Sequence, residues 1–264
     1  MTKNQFEIGD LAEFALNVIR EAGRKSLSFY GRGKPGLKFD DQLVTQAEID
    51  LTDFFQTQLA KRFPEHQIFN TSPPDDTYTH DAKRYMWIFD PLDGVANFQA
   101  GIPIWGLSVA LLENYWPIFG AFYMPATNNL CYGLPGKKAY WDEKAISVSP
   151  QAQLSDESLF LTYSRFHHYY HSNFPGKIRN LGCTAAHICY VAMGRAEAAV
   201  LANESYHDLA AAHIIIESAG GKIFNLKGEP FFPNQHMDGQ RIEDHLIVTS
   251  PQLYKQIRDC LKKA

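Results

Sequence analysis

Two aspartates three positions apart, Asp90 and Asp93, sit in the run Trp87-Ile-Phe-Asp90-Pro-Leu-Asp93-Gly94-Val95-Ala96-Asn97-Phe98, directly after an apolar stretch. Carboxylates at the carboxyl edge of a buried strand are a common oxygen-ligand arrangement for Mg2+, a hard cation that takes one or two carboxylates together with substrate phosphate. Gly94 lets the backbone come close to a ligand, and a helix starting there aims its free N–H groups at an anion. The same pentapeptide also reads as a plain turn in which Asp93 caps the next helix. A third acid, Asp208, stands near the start of Tyr206-His207-Asp208-Leu-Ala-Ala-Ala-His-Ile-Ile-Ile-Glu217-Ser-Ala-Gly220-Gly221, an apolar helix with a Gly-Gly stop. Taken alone, Asp208 reads as an N-cap more readily than as a ligand.

The elements that must hold these acids are legible from periodicity. Ile8, Leu11, Phe14, Ala15, Val18, Ile19 and Ala22 recur at spacings of three and four, the stripe of an amphipathic helix, and Gly31, Gly33, Pro35 and Gly36 break the chain after it. A second helix is expected from Thr45, where Thr45-Gln46-Ala47-Glu48 matches a capping box, to just before Pro64; it buries Ile49, Phe54, Phe55 and Leu59. Residues 70–83, with Pro73-Pro74-Asp75-Asp76, read as an exposed loop. Short apolar runs predict strands at 86–89, ending abruptly at Asp90-Pro91, and at 105–112, 117–123 and 130–132. The chain turns polar over 144–153, the expected boundary between an N-terminal α+β domain (1–145) and a C-terminal α/β domain (146–264). In the second half, strands at 158–162, 198–201, 222–224 and 246–248 alternate with helices at 187–193, 209–219 and from Gln252 onward. That alternation argues for an α/β layer.

Composition excludes several classes. Of the 264 residues, 45% are hydrophobic and 13% aromatic, enough to repay the ordering entropy of a packed core. Basic residues number 25 against 29 acidic, a net charge of −4, so no basic excess points to DNA or RNA. No apolar run approaches the roughly 18 residues needed to span a bilayer, and the first ten residues lack a signal-peptide pattern. The four cysteines, Cys131, Cys183, Cys189 and Cys260, form no CxxC pair, so reduced thiols in a cytoplasm are expected. His167 and His171 stand four apart, a spacing that would let two imidazoles share a helical face; with no acidic or cysteine partner nearby, a surface loop or substrate rim is the better reading. His207 reads either as a neighbour that orients Asp208 or as a solvated loop histidine. Glu217 is expected to serve the helix, and Lys38 to be surface charge.

Together the two acidic runs resemble the inositol monophosphatase family of Mg2+-dependent, lithium-sensitive phosphomonoesterases. Residues 87–98 correspond to its first motif, W-x-[IV]-D-P-[IL]-D-G-T-x-N-F, and residues 206–221 to its second, W-D-x-A-A-x-x-x-[IV]-x-E-A-G-G. The resemblance covers nearly the whole chain. It implies a mixed α/β, five-layered αβαβα sandwich of the inositol monophosphatase and fructose-1,6-bisphosphatase type, usually a homodimer. It also implies a small phosphorylated metabolite as substrate, held over two or three Mg2+ ions that activate a water for in-line attack. On that resemblance Asp90, Asp93 and Asp208 are metal ligands with the Leu92 carbonyl, and Gly94, Val95 and Ala96 face the phosphate.

Several family positions differ in type. The glutamate expected on the catalytic metal falls on Thr71, and a neutral hydroxyl substitutes poorly for a carboxylate on a hard dication. The water-positioning threonine is Val95, which has no hydrogen-bonding group, while its acidic partner is retained as Glu48. The acid that contacts a sugar hydroxyl is Leu201, and Cys183 and Thr184 replace small residues that touch substrate. Each lost electrostatic or proton-handling group costs on the order of 10²–10³ in rate. One Mg2+ and a phosphate are still expected to bind. Asp75 or Asp76 folding back to replace the missing ligand is one rescue. Two functions follow from this reading: an attenuated phosphomonoesterase, or a catalytically inactive relative acting as a binding or regulatory protein, with transcription or RNA-processing partners by family analogy.

Overall fold

The computed structural model describes residues 8–32, 41–69, 84–237 and 240–264. The first stripe forms α1 (Ile8–Ser26), whose buried face carries Leu11, Ala15, Val18, Ile19 and Ala22. α2 (Asp41–Arg62) begins four residues before Thr45, so Thr45 lies inside the helix and the expected capping box does not exist. Its phase is set by Val44, Ala47, Leu51, Phe55 and Leu59, all buried, which turns Ile49 outward at 49% exposure. Ile49 was expected inside; one rotated position is enough to reverse that.

A seven-stranded sheet follows in sequential order: β1 (Gln67–Ile68), β2 (Tyr85–Asp93), β3 (Gly106–Glu113), β4 (Trp116–Met124), β5 (Asn129–Gly133), β6 (Ala139–Trp141) and β7 (Lys144–Ile146). β1 runs parallel to β2, and every later pairing is antiparallel. α3 (Val95–Ala100) interrupts the sheet between β2 and β3. The second sheet is mixed, ordered β10-β8-β11-β13-β12, from β8 (Leu159–Thr162), β10 (Lys177–Arg179), β11 (Ala198–Leu201), β12 (Lys222–Asn225) and β13 (Leu246–Thr249). β9 (Tyr170–Ser172) pairs with the terminal β14 (Leu261–Lys263). The short strands β6, β7, β9, β10 and β14 carry too little apolar pattern to be read from sequence.

Alternation along the strands sorts the layers. Trp87, Phe89, Val109 and Leu111 pack against α1 and α2, whereas Ile88, Ala110 and Leu112 meet α5 (Tyr206–Ser218) on the opposite face. α4 (Thr184–Ala192) and α5 pack together between the sheets, with Leu161, Ala199 and Val248 of the second sheet against them. The outer face of that sheet presents Phe160, Val200 and Ile247 to Leu253 and Ile257 of the last helical segment, α6 (Tyr254–Asp259). The order α1/α2, sheet, α4/α5, sheet, α6 is the expected αβαβα sandwich. Close approach of α5 to the first sheet depends on Gly120, where a Cβ would collide with the Ala211 carbonyl. Among the described residues no helix is long and apolar enough to cross a membrane.

His167 lies in a short 3-10 turn (Phe166–His168) and His171 in β9, so the two share no helical face and the metal-ligand spacing does not apply. The expected loop at 70–83, and with it Thr71, Asp75 and Asp76, lies outside the described residues, as do Lys38, Gly33, Pro35 and Gly36.

Candidate active site

β2 does not stop at Phe89. It continues through Asp90 and Asp93, with Asp90 opposite Ser108 and Asp93 opposite Gly106. Three steps on β2 against two on β3 make a bulge at Pro91-Leu92. In a regular strand, residues three apart point to opposite faces; the bulge removes that constraint, and Asp93 becomes a near electrostatic neighbour of Asp90.

Asp93 is held by the start of α4. Its Oδ2 accepts the Ala185 N–H at 2.6 Å and the Cys183 thiol at 3.2 Å, and its Oδ1 accepts the Thr184 N–H at 3.2 Å. An anion at a helix N-terminus meets unpaired amides and the positive end of the helix dipole. Gly94 makes this approach feasible. Its φ of +87° is a left-handed conformation, and a Cβ there would lie 3.1 Å from Cys183 Cβ, the Ile104 carbonyl oxygen and Trp105 Cα. Just beyond, buried Asn97 donates to the carbonyls of Ile104 and Leu181, both at 2.6 Å, tying α3 to β3 and to the approach to α4. Val95 and Ala96 open α3 in exposed positions, and no side chain caps its first amides.

Asp208 reaches the site from α5. Ser205, not Asp208, is the N-cap; Asp208 is the third helical residue of a capping box, its Oδ2 accepting the Ser205 N–H at 2.6 Å and lying 2.8 Å from Ser205 Oγ. The same oxygen pairs with Arg241 Nη1 at 2.8 Å.

The acids bear on one another electrostatically. Burial raises the Asp90 carboxyl well above its usual range, and the charges of Asp93, Asp208 and Glu48 raise it further; only the Leu92 N–H, 3.0 Å from Oδ1, opposes this. Burial also raises Asp93, against the pull of its α4 hydrogen bonds. Glu48, half-buried on α2, is raised by burial. Sequence reading missed a further acid, Glu204, in the turn between β11 and α5. Burial and the neighbouring charges of Asp208 and Asp93 push Glu204 up to about 8, and its Oε1 accepts the Thr184 hydroxyl at 2.9 Å. Only its position before Ser205-x-x-Asp208, a capping-box pattern marking a helix start, could have drawn attention to it.

Leu201, where the resemblance puts a substrate contact, is 1% exposed and packed in the core. Cys183 is buried, its thiol raised well above its usual range by burial. His207 is neither a solvated loop residue nor bonded to Asp208: its ring centroid lies 4.8 Å from that of Phe69. It lines a cavity of about 430 Å3 with Phe55, Gln56, Phe69, Asp90 and Pro91.

A divalent cation suits this donor chemistry. Asp90 is a buried carboxylate among other carboxylates, with no cation paired to it among the described residues, and a buried charge is costly unless paired. No three His, Cys, Asp or Glu side chains of the described residues already surround a common metal position, so the set is chemically matched rather than closed.

Residues 7–261 match the model of the inositol monophosphatase family. The fructose-1,6-bisphosphatase/inositol-1-monophosphatase of Thermotoga maritima is 27% identical over 94% of this chain and 98% of its own length. The histidinol-phosphatase of Chlorobaculum parvum is 30% identical over 82% of this chain and 86% of its own. Among solved structures, the IMPase of Thermotoga maritima superposes with a TM-score of 0.76 at 24% identity, covering 95% of this chain and 96% of that one. The extragenic suppressor protein suhB of Bartonella henselae gives a TM-score of 0.74 at 22% identity over 95% and 97%. With a bulged Asp90/Asp93 pair, Asp208 in the first turn of α5, the five-layer sandwich and a family match along nearly its whole length, this chain belongs to the inositol monophosphatase family.

Proposed function

We propose that the chain hydrolyses a small phosphate monoester, with Asp90, Asp93, Asp208 and the Leu92 carbonyl holding Mg2+. The observation that carries this reading is the β2 bulge that brings Asp90 and Asp93 into one stretch of strand, with Asp93 held on the α4 amides and no described cation paired to Asp90. When bound, the cation polarises phosphoryl oxygens and makes a bound water more acidic. The chain's own contribution is positional. α4 orients Asp93, Ser205 and Arg241 orient Asp208, and the uncapped amides at the start of α3 offer donors to phosphate oxygens. Relatives named for inositol phosphate, fructose 1,6-bisphosphate and histidinol phosphate carry no single substrate over to this chain. The test is phosphate release in Mg2+ or Mn2+ from sugar, inositol and nucleotide phosphates; release no faster than from Asp90→Asn would refute it.

A second reading, ligand binding with little or no turnover, is favoured by Val95, exposed at the head of α3 with no group to hold a water. Rapid turnover by the unmodified chain would eliminate it.

A further inference from the structure

α4 begins without a cap of its own. Its N-cap, Cys183, makes no side-chain bond to the first amides, and those of Thr184 and Ala185 are given to Asp93. The direction of that start is fixed by the segment before it, which one buried side chain closes. His187, 3% exposed and one turn into α4, folds its ring back so that Nε2 accepts the Leu181 N–H at 2.9 Å. Its own N–H donates to the Cys183 carbonyl at 3.0 Å, so ring and backbone both act on the same short stretch. The Leu181 carbonyl in turn accepts Asn97 Nδ2 at 2.6 Å. Next to it Gly182 takes φ +76°, where a Cβ would lie 2.9 Å from both polar atoms of the Asn97 amide. Leu181 is thus held from α4 by its N–H and from α3 by its carbonyl, just ahead of the thiol and amides that grip Asp93. An imidazole accepting at Nε2 carries its proton on Nδ1 and must be neutral; burial, which pushes His187 down to about 4, keeps it so.

We propose that His187 is a positioning residue for the metal site: through Leu181 it holds the start of α4 against Asp93, and so sets the affinity for Mg2+. This rests on the reading of Asp93 as a Mg2+ ligand and adds the residue that fixes that ligand's orientation. A carboxylate that shares its lone pairs between a cation and three protein donors tolerates little drift in those donors, because they set the direction of the pair left for the metal. With the imidazole acceptor gone, the Leu181 N–H seeks another partner, and the chain leading to Cys183 moves with it. His187 touches neither cation nor substrate; it acts only through the segment it closes.

The test reads the Mg2+ Kd by calorimetry, and Tm in EDTA, for the unmodified chain and three variants. His187→Leu removes the acceptor, and His187→Gln returns one at the reach of Nε2. Val191→Ala, at a buried position one turn further along α4, removes only core packing. His187→Leu is expected to weaken Mg2+ binding by about 10- to 100-fold, the usual loss when a group that orients a metal ligand is removed. His187→Gln, one neutral acceptor for another, stays within about threefold of the unmodified chain. Val191→Ala lowers Tm in EDTA yet leaves the Kd unchanged, which separates positioning from loss of packing. Should His187→Leu not fold, His187→Asn, whose amide ends short of Nε2, takes its place with the same expectation. An unchanged Kd in the variant lacking the acceptor overturns the proposal, as does an equal weakening in His187→Gln or in Val191→Ala. Mg2+ binding with the expected losses but no phosphate release refutes the phosphatase reading alone. Phosphate release with a Kd indifferent to His187 refutes this proposal alone, and no Mg2+ binding by the unmodified chain refutes both.

Discussion

Glu204→Gln tests the site's electrostatics in the metal-free chain. An acid raised from 4.5 to about 8 keeps its proton in the folded state over a pH range where the unfolded chain has already lost it. The folded state then binds more protons than the unfolded one, so stability falls as pH rises through that window. Below about pH 4.5 the glutamate is neutral in both states and costs nothing; above about pH 8 the whole penalty is present. The full shift corresponds to roughly 5 kcal/mol, and since Glu204 keeps partial contact with solvent, about 2–4 kcal/mol is expected. Glutamine keeps an oxygen for the Thr184 hydroxyl and carries no charge. In EDTA, thermal unfolding should therefore give equal Tm values for the two proteins near pH 4.5 and a Tm for the variant about 5–15 °C higher at pH 8.5. A Tm difference that stays flat across this range, or a variant less stable at pH 8.5, would refute the claim that Glu204 is held among repelling acids.

Three further outcomes are expected. Asp90→Asn removes a buried carboxylate that repulsion and burial already disfavour, so the metal-free protein should gain stability, increasingly as pH rises, and lose the Mg2+-dependent increase in Tm, which at 100-fold over Kd is worth about 2.7 kcal/mol; a variant that Mg2+ still stabilises would contradict the ligand assignment. Gly94→Ala should cost about 1–2 kcal/mol for its left-handed backbone and about 1–3 more for the three contacts at 3.1 Å, while Gly101→Ala, left-handed with open space around it, pays only the first part; urea unfolding giving equal losses would show that Gly94 packing is not tight. Val95→Thr with Thr71→Glu should raise phosphate release on the order of 10²–10³ if these positions limit the rate, and an unchanged rate would place the limit elsewhere.

Local pattern was a reliable guide wherever one element could be judged by its own residues. The stripe from Ile8 to Ala22 is α1, and the apolar runs became β3, β4, β5, β8, β11 and β13. Errors arose where helix phase or ends depended on packing. Asp41-Gln-Leu-Val extends α2 past Thr45, and Val44, Ala47 and Leu51 take the face that Ile49 was expected to fill. The capping box lies instead at Ser205 and Asp208, where the same acid serves both helix start and candidate site.

The acids Asp90, Asp93 and Asp208, the glycine between α3 and β2, and the family they mark were readable in the chain, because each depends on residue type at short spacing. How those acids are held, and which other side chains join them, was settled only by folding: the α4 amides on Asp93, Arg241 on Asp208 and the buried Glu204 beside Thr184. Such contacts join segments remote in sequence. The repulsion they create exists only when burial strips water from several carboxylates at once, which no local pattern encodes.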